Sequence, residues 1–342
     1  MEPTPKRQRI LSGVQPSGKL HLGNYFGAIK QHIELQEQND CFYFIANYHA
    51  MTSVRDAADK LSPGQNRKTR AADMLRQNTF EAALDYLALG LDPNKAVFYR
   101  QSDVPEVTEL SWILATVTNM GLLERAVSYK EKVDKGIEAS VGLFTYPILM
   151  AADILIVRSN IVPVGKDQVQ HLEMTADIAG KFNRAFERDV FPIPTYRLDK
   201  ESKVLGTDGQ KMGKSYGNTI DIFAEGKPLE KTVMSIKTDS TPMGQPLNPE
   251  PCNVFALYCL FATPAEKDAL ADAYKAGTIG FGGAKKLLKE RIEAYFAPFR
   301  DKRKELAARP DTIEDILRDG AKRARIETQR TMDKVYKATG LR

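Results

Sequence analysis

An α/β chain is expected here: a doubly wound parallel sheet followed by a smaller all-helical C-terminal domain. Three observations predict it. Between Arg9 and Phe182, short apolar runs rich in β-branched and aromatic residues alternate with stretches of helical apolar spacing, the signature of a parallel sheet wrapped by helices. From about Glu225 onward the strand-like runs stop and only helical spacing remains. A length of 342 residues with 42% hydrophobic side chains suits two domains, each with a core of its own.

The elements follow in order. Arg9–Val14 (RILSGV) is a strand, closed by a turn at Gln15-Pro16-Ser17-Gly18, and Leu22–Leu35 has helical spacing. Cys41–Ala46 (CFYFIA) is a dense aromatic and β-branched run, hence a second strand. Gln65–Leu89 is a long helix stopped at Gly90. Ala96–Arg100 is the next strand, and Ser102-Asp103 with Glu106 reads as the capped start of a helix. Leu149–Val157 ends a further helix, Ile161–Val164 is a strand running into Gly165, and Asp167–Phe182 is helical. Such sheets bind ligands beyond the carboxyl ends of their strands. Later, Leu257–Leu260, Leu270–Tyr274, Ala284–Phe299 and Thr312–Ala338 read as helices, and the Pro- and Gly-rich Thr238–Pro251 as loop.

Composition bounds the function. No apolar run reaches the roughly 18 residues of a membrane span, and the basic start MEPTPKRQRIL lacks the apolar core of a signal peptide. Three cysteines, Cys41, Cys252 and Cys259, make no disulfide framework. Reduced thiols in a cytoplasmic protein are the simpler reading. The net charge of +5 is uneven: from Ala284 on there are 17 Lys and Arg against 10 Asp and Glu, and before it 32 against 34. A basic C-terminal segment suits an anionic partner such as nucleic acid, and equally a solvated helix face.

Two stretches carry chemistry. The first, QPSGKLHLGNYFGA from Gln15 to Ala28, leaves a strand and opens a helix, where backbone N–H groups can hold phosphate. His21 and Asn24, three apart, can face that site together. Gly23 between them lets a flat base or ribose approach the backbone, and Gly27 allows close packing one turn later. The second is GTDGQKMGKSYGN, 206–218. It closes like a P-loop, but that motif needs glycine at 208, where Asp208 stands, and Gly209 comes one place late. Tyr216-Gly217-Asn218-Thr219 is also a poor helix start.

Together the two stretches resemble the paired motifs of class I aminoacyl-tRNA synthetases, in the form found in the tryptophanyl-tRNA synthetase family. His21-Leu22-Gly23-Asn24 stands at the HIGH positions, and Lys211-Met212-Gly213-Lys214-Ser215 at the KMSKS positions, with Gly213 replacing the central serine. Ser140–Leu155 resembles the family's amino-acid-pocket helix. Val162–Glu173 resembles its Gly-x-Asp-Gln segment, with Lys166 where an acidic residue is the more usual. The resemblance covers nearly the whole chain.

It implies a Rossmann-like catalytic domain over 1–205, a mobile loop over 206–220, a helical anticodon-binding domain over 221–320, and a C-terminal helix over 321–342 packing back on the catalytic domain. It implies activation of an amino acid by ATP, carried as its Mg2+ complex, and transfer to tRNA(Trp). Catalysis falls to His21, Asn24, Lys211 and Lys214, neutral or cationic donors suited to a negatively charged, in-line phosphoryl transition state. ATP would be lined by Gln15, Pro16, Ser17, Gly23, Asn24, Gly165, Lys166, Asp167, Val204, Lys211, Met212, Gly213, Lys214 and Ser215. The glycines 206, 209, 213 and 217 would leave the loop flexible.

For the amino acid, Asp153 lies in the apolar run Ile148–Val157, where a carboxylate is costly unless paired. An indole N–H only donates, so a fixed acceptor suits it. Tyrosine enzymes also use an acidic residue, so Asp153 alone does not separate the two substrates. The strings GNYFGA and GKDQVQHLE, and the apolar Ile10-Leu11, favour L-tryptophan. Tyr146 and Met150 are placed to sandwich an indole, and Gln168 to hold the α-amino group. Asn47 stands where an Asp is expected. Cys252 and Cys259 are spaced as two of the four ligands of an iron–sulfur site known in some relatives, with Leu229 and Ala262 at the other two positions. Neither cluster nor protein-bound metal is expected. The family implies a homodimer, and the clusters Lys302-Arg303-Lys304 and Lys322-Arg323-Ala324-Arg325 suit tRNA.

Overall fold

The computed structural model describes residues 7–54, 57–58, 67–127, 129–130, 140–198, 204–242 and 244–342. It contains a five-stranded sheet in the order β3-β2-β1-β4-β5. The strands are β1 (Arg9–Val14), β2 (Asp40–Ile45), β3 (Ala96–Arg100), β4 (Ile161–Val164) and β5 (Thr195–Leu198), and all neighbours pair parallel. The first four lie where the apolar runs put them. β5 escapes the sequence pattern because all four of its residues are exposed and it has a neighbour only in β4. An edge strand needs no buried face to pair.

The chain falls into two compact units. The first comprises Met1–Gly18, His32–Asp199 and Arg309–Arg342; the second, Lys19–Gln31 and Lys200–Ala308. This differs from a contiguous division at 205 and 320: the segment carrying His21 and Asn24 groups with the residues after 200.

In the first unit, Leu11, Phe42, Phe44, Val97 and Tyr99 of the sheet share a buried core with Leu155, Ile156, Phe182, Met332 and Val335. The helix Pro310–Thr339 crosses β3 so closely that a Cβ on Gly320 would lie 1.8 Å from the Phe98 carbonyl oxygen. Its polar residues tie it down. Glu327 pairs with Arg9 at 3.0 Å and Glu314 with Arg100 at 2.9 Å. Arg323 donates to the Pro93 carbonyl, and Arg325 pairs with Glu106 at 2.7 Å. Two cations read as a tRNA patch are thus already bonded inside the unit. The helix after β3 also starts differently from expectation. It spans Glu106–Ala115 with Pro105 as N-cap and no side-chain cap, because Asp103 pairs with Arg100 at 2.9 Å and Ser102 bonds Asn47.

The second unit is built on the helices Gly226–Met234, Asn253–Tyr258, Pro264–Lys275 and Phe281–Ala307. Leu229, Val233, Val254, Leu288, Ile292 and Phe296 are fully buried in it. Thr263 and Glu266 form a capping box ahead of Pro264–Lys275, the reciprocal bond pair that fixes a helix start. Helical geometry from Leu22 to Leu35 is interrupted by a π-helical turn at Tyr25–Ile29. That turn sends Tyr25 and Phe26 edge-on into Phe261, Tyr295 and Phe296. Gly27 has no close neighbour, since a Cβ there would meet nothing within 4 Å, so the close packing expected of it is absent. Lys302 and Lys304 pair with Glu305 and Glu225, and Arg303 lies over the Phe223 ring.

Candidate active site

The first unit holds a cavity of about 390 Å³ lined by Tyr48, His49, Thr52, Ser111, Thr145, Tyr146 and Leu149, among others. The helix Val141–Ile156 forms one wall. It starts at Ser140, whose hydroxyl accepts from the Leu143 N–H, and buries Ile148, Ala151, Ala152 and Ile154–Ile156 in the core. Asp153 is carried into that core at 3% exposure. Its carboxylate is paired there. His49 Nε2 approaches Oδ2 at 2.9 Å, and the Gln101 amide donates to both oxygens at 2.9 Å. Gln101 is itself fully buried and accepts from the Tyr48 N–H at 3.0 Å.

Burial pushes the Asp153 carboxyl above its ordinary value, and the His49 and Gln101 bonds pull it back. Asp153 therefore reaches the cavity through His49, while Tyr146 stands on the wall and is bonded behind to His171. Met150 is half-buried against the core. Neither His49 nor Gln101 was identified from sequence; they lie 104 and 52 residues from Asp153, and no spacing links them. Asn47 pairs with Ser102: its amide donates to Oγ at 2.8 Å and accepts from the N–H at 3.1 Å.

β1 and β4 are neighbours at the point where strand order reverses, and ligands of such sheets bind beyond the carboxyl ends there. Gln15, Pro16 and Ser17 leave the end of β1, and Gly165, Lys166 and Gln168 the end of β4. Gln15 bonds Ser53 Oγ at 3.3 Å, Pro16 is buried and Lys166 is exposed. The Asp167 side chain lies outside the described residues.

In the second unit, His21 caps Leu22–Asn24 in a reciprocal box. Its Nδ1 accepts from the Asn24 N–H at 3.3 Å, and Asn24 Oδ1 accepts from the His21 N–H at 3.2 Å. The donors expected to hold phosphate are committed elsewhere. Leu22 N–H goes to the Ile220 carbonyl at 3.0 Å, and Gly23 N–H to Met212 Sδ at 3.4 Å. With these two N–H groups bonded inside the unit, side chains are the further donors at this helix start. A Cβ on Gly23 would lie 2.9 Å from His21 Nδ1 and 3.3 Å from Met212 Cβ, so the turn itself requires glycine here.

His21 is held neutral. Burial and the Lys214 charge lower its pKa to about 4, against a smaller rise from Asp221. With Nδ1 accepting, the proton resides on Nε2, a neutral donor outside the box.

The Lys211–Ser215 segment belongs to a short hairpin, bridged at Leu205 and Lys211. Lys211, Lys214 and Ser215 are exposed, while Val204 and Met212 are buried, with the Met212 N–H on the Val204 carbonyl at 2.9 Å. A 3₁₀ turn, Lys214–Tyr216, ends at Gly217 in a left-handed conformation, so no helix follows as a P-loop requires. A side chain at Gly213 would meet the Tyr216 ring at 3.2 Å.

An all-parallel sheet with a buried carboxylate beside a cavity, and a lysine hairpin packed on a histidine-capped helix start, fit an aminoacyl-activating enzyme of class I. Residues 4–297 match the family described as tRNA synthetases class I (W and Y), and the chain belongs to that family. Its bacterial tryptophan members lie near it. It is 53% identical to tryptophan–tRNA ligase of Rhodopirellula baltica over 335 residues, 98% of this chain and 100% of that one. It is 49% identical to that of Fusobacterium nucleatum, over 98% of each. The solved tryptophanyl-tRNA synthetase of Campylobacter jejuni, complexed with ADP and tryptophan, superimposes with a TM-score of 0.88 at 49% identity, covering 97% of this chain and 99% of that one. A tyrosyl-tRNA synthetase from Archaeoglobus fulgidus, 18% identical with a TM-score of 0.60, shares the fold. The tyrosine alternative is therefore set aside.

Proposed function

We infer that the chain activates L-tryptophan with ATP to tryptophanyl-adenylate and transfers it to tRNA(Trp), releasing pyrophosphate and AMP. The observation that carries this is about half identity along the full chain to tryptophan–tRNA ligases; His21, Asn24, Lys211 and Lys214 stand at the positions of the two motifs. The tryptophan carboxylate attacks the α-phosphorus and pyrophosphate leaves. Charge builds on the phosphate oxygens, so catalysis is positioning plus cationic stabilisation.

Lys211 and Lys214 grip the leaving pyrophosphate, and neutral His21 Nε2–H and the Asn24 amide donate to phosphate oxygens. Gln15, Pro16, Ser17, Gly23, Gly165, Lys166, Asp167, Val204, Met212, Gly213 and Ser215 line the rest of ATP. ATP enters as its Mg2+ complex; the ion is part of the substrate. Asp153 fixes the indole N–H end through His49, Tyr146 and Met150 flank the ring and Gln168 holds the α-amino group. The two parts of the chemistry lie on different units: the tryptophan residues on the first, the lysines with His21 and Asn24 on the second. Residues 221–320 bind the anticodon, and the enzyme works as a cytoplasmic homodimer.

ATP–pyrophosphate exchange with each amino acid in turn tests the reading. Exchange with tryptophan alone is the expected result. Exchange with tyrosine in its place would overturn the substrate, and none with any amino acid would overturn the activity.

A further inference from the structure

The lysine hairpin is organised by one side chain that the function has not absorbed. Asn218 is 2% exposed and every group of its amide is used. Its Oδ1 accepts from the Gly213 N–H at 2.8 Å; its Nδ2 donates to Asp208 Oδ1 at 2.7 Å and to the Lys211 carbonyl at 3.1 Å. Its own backbone carbonyl accepts from the Thr207 N–H at 2.9 Å. Gly206 exists to admit it, since a Cβ there would lie 2.2 Å from Nδ2. Asn253 then holds the Gly206 carbonyl at 2.7 Å.

The same amide thus pins the backbone on both sides of buried Met212: at Lys211 and at Gly213, which precedes Lys214. The two lysine side chains are exposed, yet each starts within one residue of an anchored atom. Only a primary amide supplies one acceptor and two donors in this plane. Aspartate lacks the donors, alanine lacks everything, and glutamine is a methylene too long.

We propose that Asn218 is a positioning residue for amino-acid activation, setting the relative placement of Lys211 and Lys214 through its bonds to the Lys211 carbonyl and the Gly213 N–H. This rests on the reading that those lysines grip pyrophosphate. Glycine-rich as it is, the loop presents its charges from a fixed frame, and misplacement by about 1 Å costs on the order of 10²-fold in rate.

The test is steady-state ATP–pyrophosphate exchange on the full-length enzyme, with tryptophan affinity measured by calorimetry. Asn218→Ala should lower kcat about 10²-fold while tryptophan affinity, a property of the first unit, stays within about twofold. Asn218→Asp should do worse, because it sets a second carboxylate at hydrogen-bond distance from Asp208. Adding Asp208→Asn removes that repulsion but leaves the Lys211 carbonyl without its donor, so kcat should recover to about the Asn218→Ala level and no further. A merely structural role would lower tryptophan affinity together with kcat. Wild-type kcat in Asn218→Ala beside a crippled Lys211→Ala/Lys214→Ala enzyme would overturn the proposal, as would wild-type kcat in Asn218→Asp/Asp208→Asn, which lacks the bond to the Lys211 carbonyl. Full activity in the double-lysine variant would instead overturn the reading on which it rests.

Discussion

The cavity beside Asp153 and the lysine hairpin solve opposite problems. The cavity places one carboxylate in an apolar core, so its order comes from side chains packed and bonded around it: Asp153 is held by His49 and Gln101 on elements far apart in sequence. The hairpin must expose two cations, so its order comes from backbone groups, gathered by the single amide of Asn218. Buried polar groups rigidify a site when every member is satisfied; exposed charges need only a fixed base. Damage to the first region should therefore appear as lost stability and tryptophan affinity, and damage to the second as lost phosphate kinetics.

The comparison can be broken at several points. The largest effect belongs to the hairpin. Lys211→Ala/Lys214→Ala should slow exchange by about 10²- to 10³-fold with tryptophan binding nearly intact by calorimetry. Gly320→Ala, in the first unit, drives a Cβ into the Phe98 carbonyl. Thermal unfolding should show a loss of about 3 kcal/mol or more. Asp153→Ala leaves buried Gln101 and the half-buried His49 without their acceptor. A stability loss of about 2–3 kcal/mol and weaker tryptophan binding should appear together; wild-type affinity would remove Asp153 from recognition.

His21 sharpens the electrostatic half. Its folded pKa is depressed to about 4 from 6.5, so the unfolded chain takes up the proton first. Its contribution is present above the unfolded value and is lost as pH falls from about 6.5 towards 4, on the order of 1–3 kcal/mol. Denaturant titrations of His21→Asn should show a shallower acid slope across that window. The smallest effect is at Gly27, where an alanine meets nothing. Gly27→Ala should be neutral or stabilising by about 0.5–1 kcal/mol, whereas Gly23→Ala, facing His21 Nδ1, should destabilise.

Much of this was legible without coordinates. β1 to β4 are apolar runs, because a strand covered on both faces must be continuous in apolar residues. The two motifs were visible because each is a contiguous string. β5 was invisible because an exposed edge carries no pattern. That Ile220 and Met212 take the Leu22 and Gly23 N–H groups was not legible, since both partners lie about 190 residues or more further along the chain. The glycines of the hairpin looked merely loose. In the structure Gly206 makes room for an amide, and Gly209 and Gly217 hold positive φ.

The order of elements, the parallel class of the sheet and the two chemical strings were determined by sequence alone, since periodicity and turn residues act over a few positions of chain. Which residues satisfy a buried carboxylate, which glycine admits which side chain, and which segments group together were decided only by tertiary structure. His49, Gln101 and Asn218 acquire their roles from partners brought near by packing, and hydrogen bonds act through distance in space, which the linear order of residues does not contain.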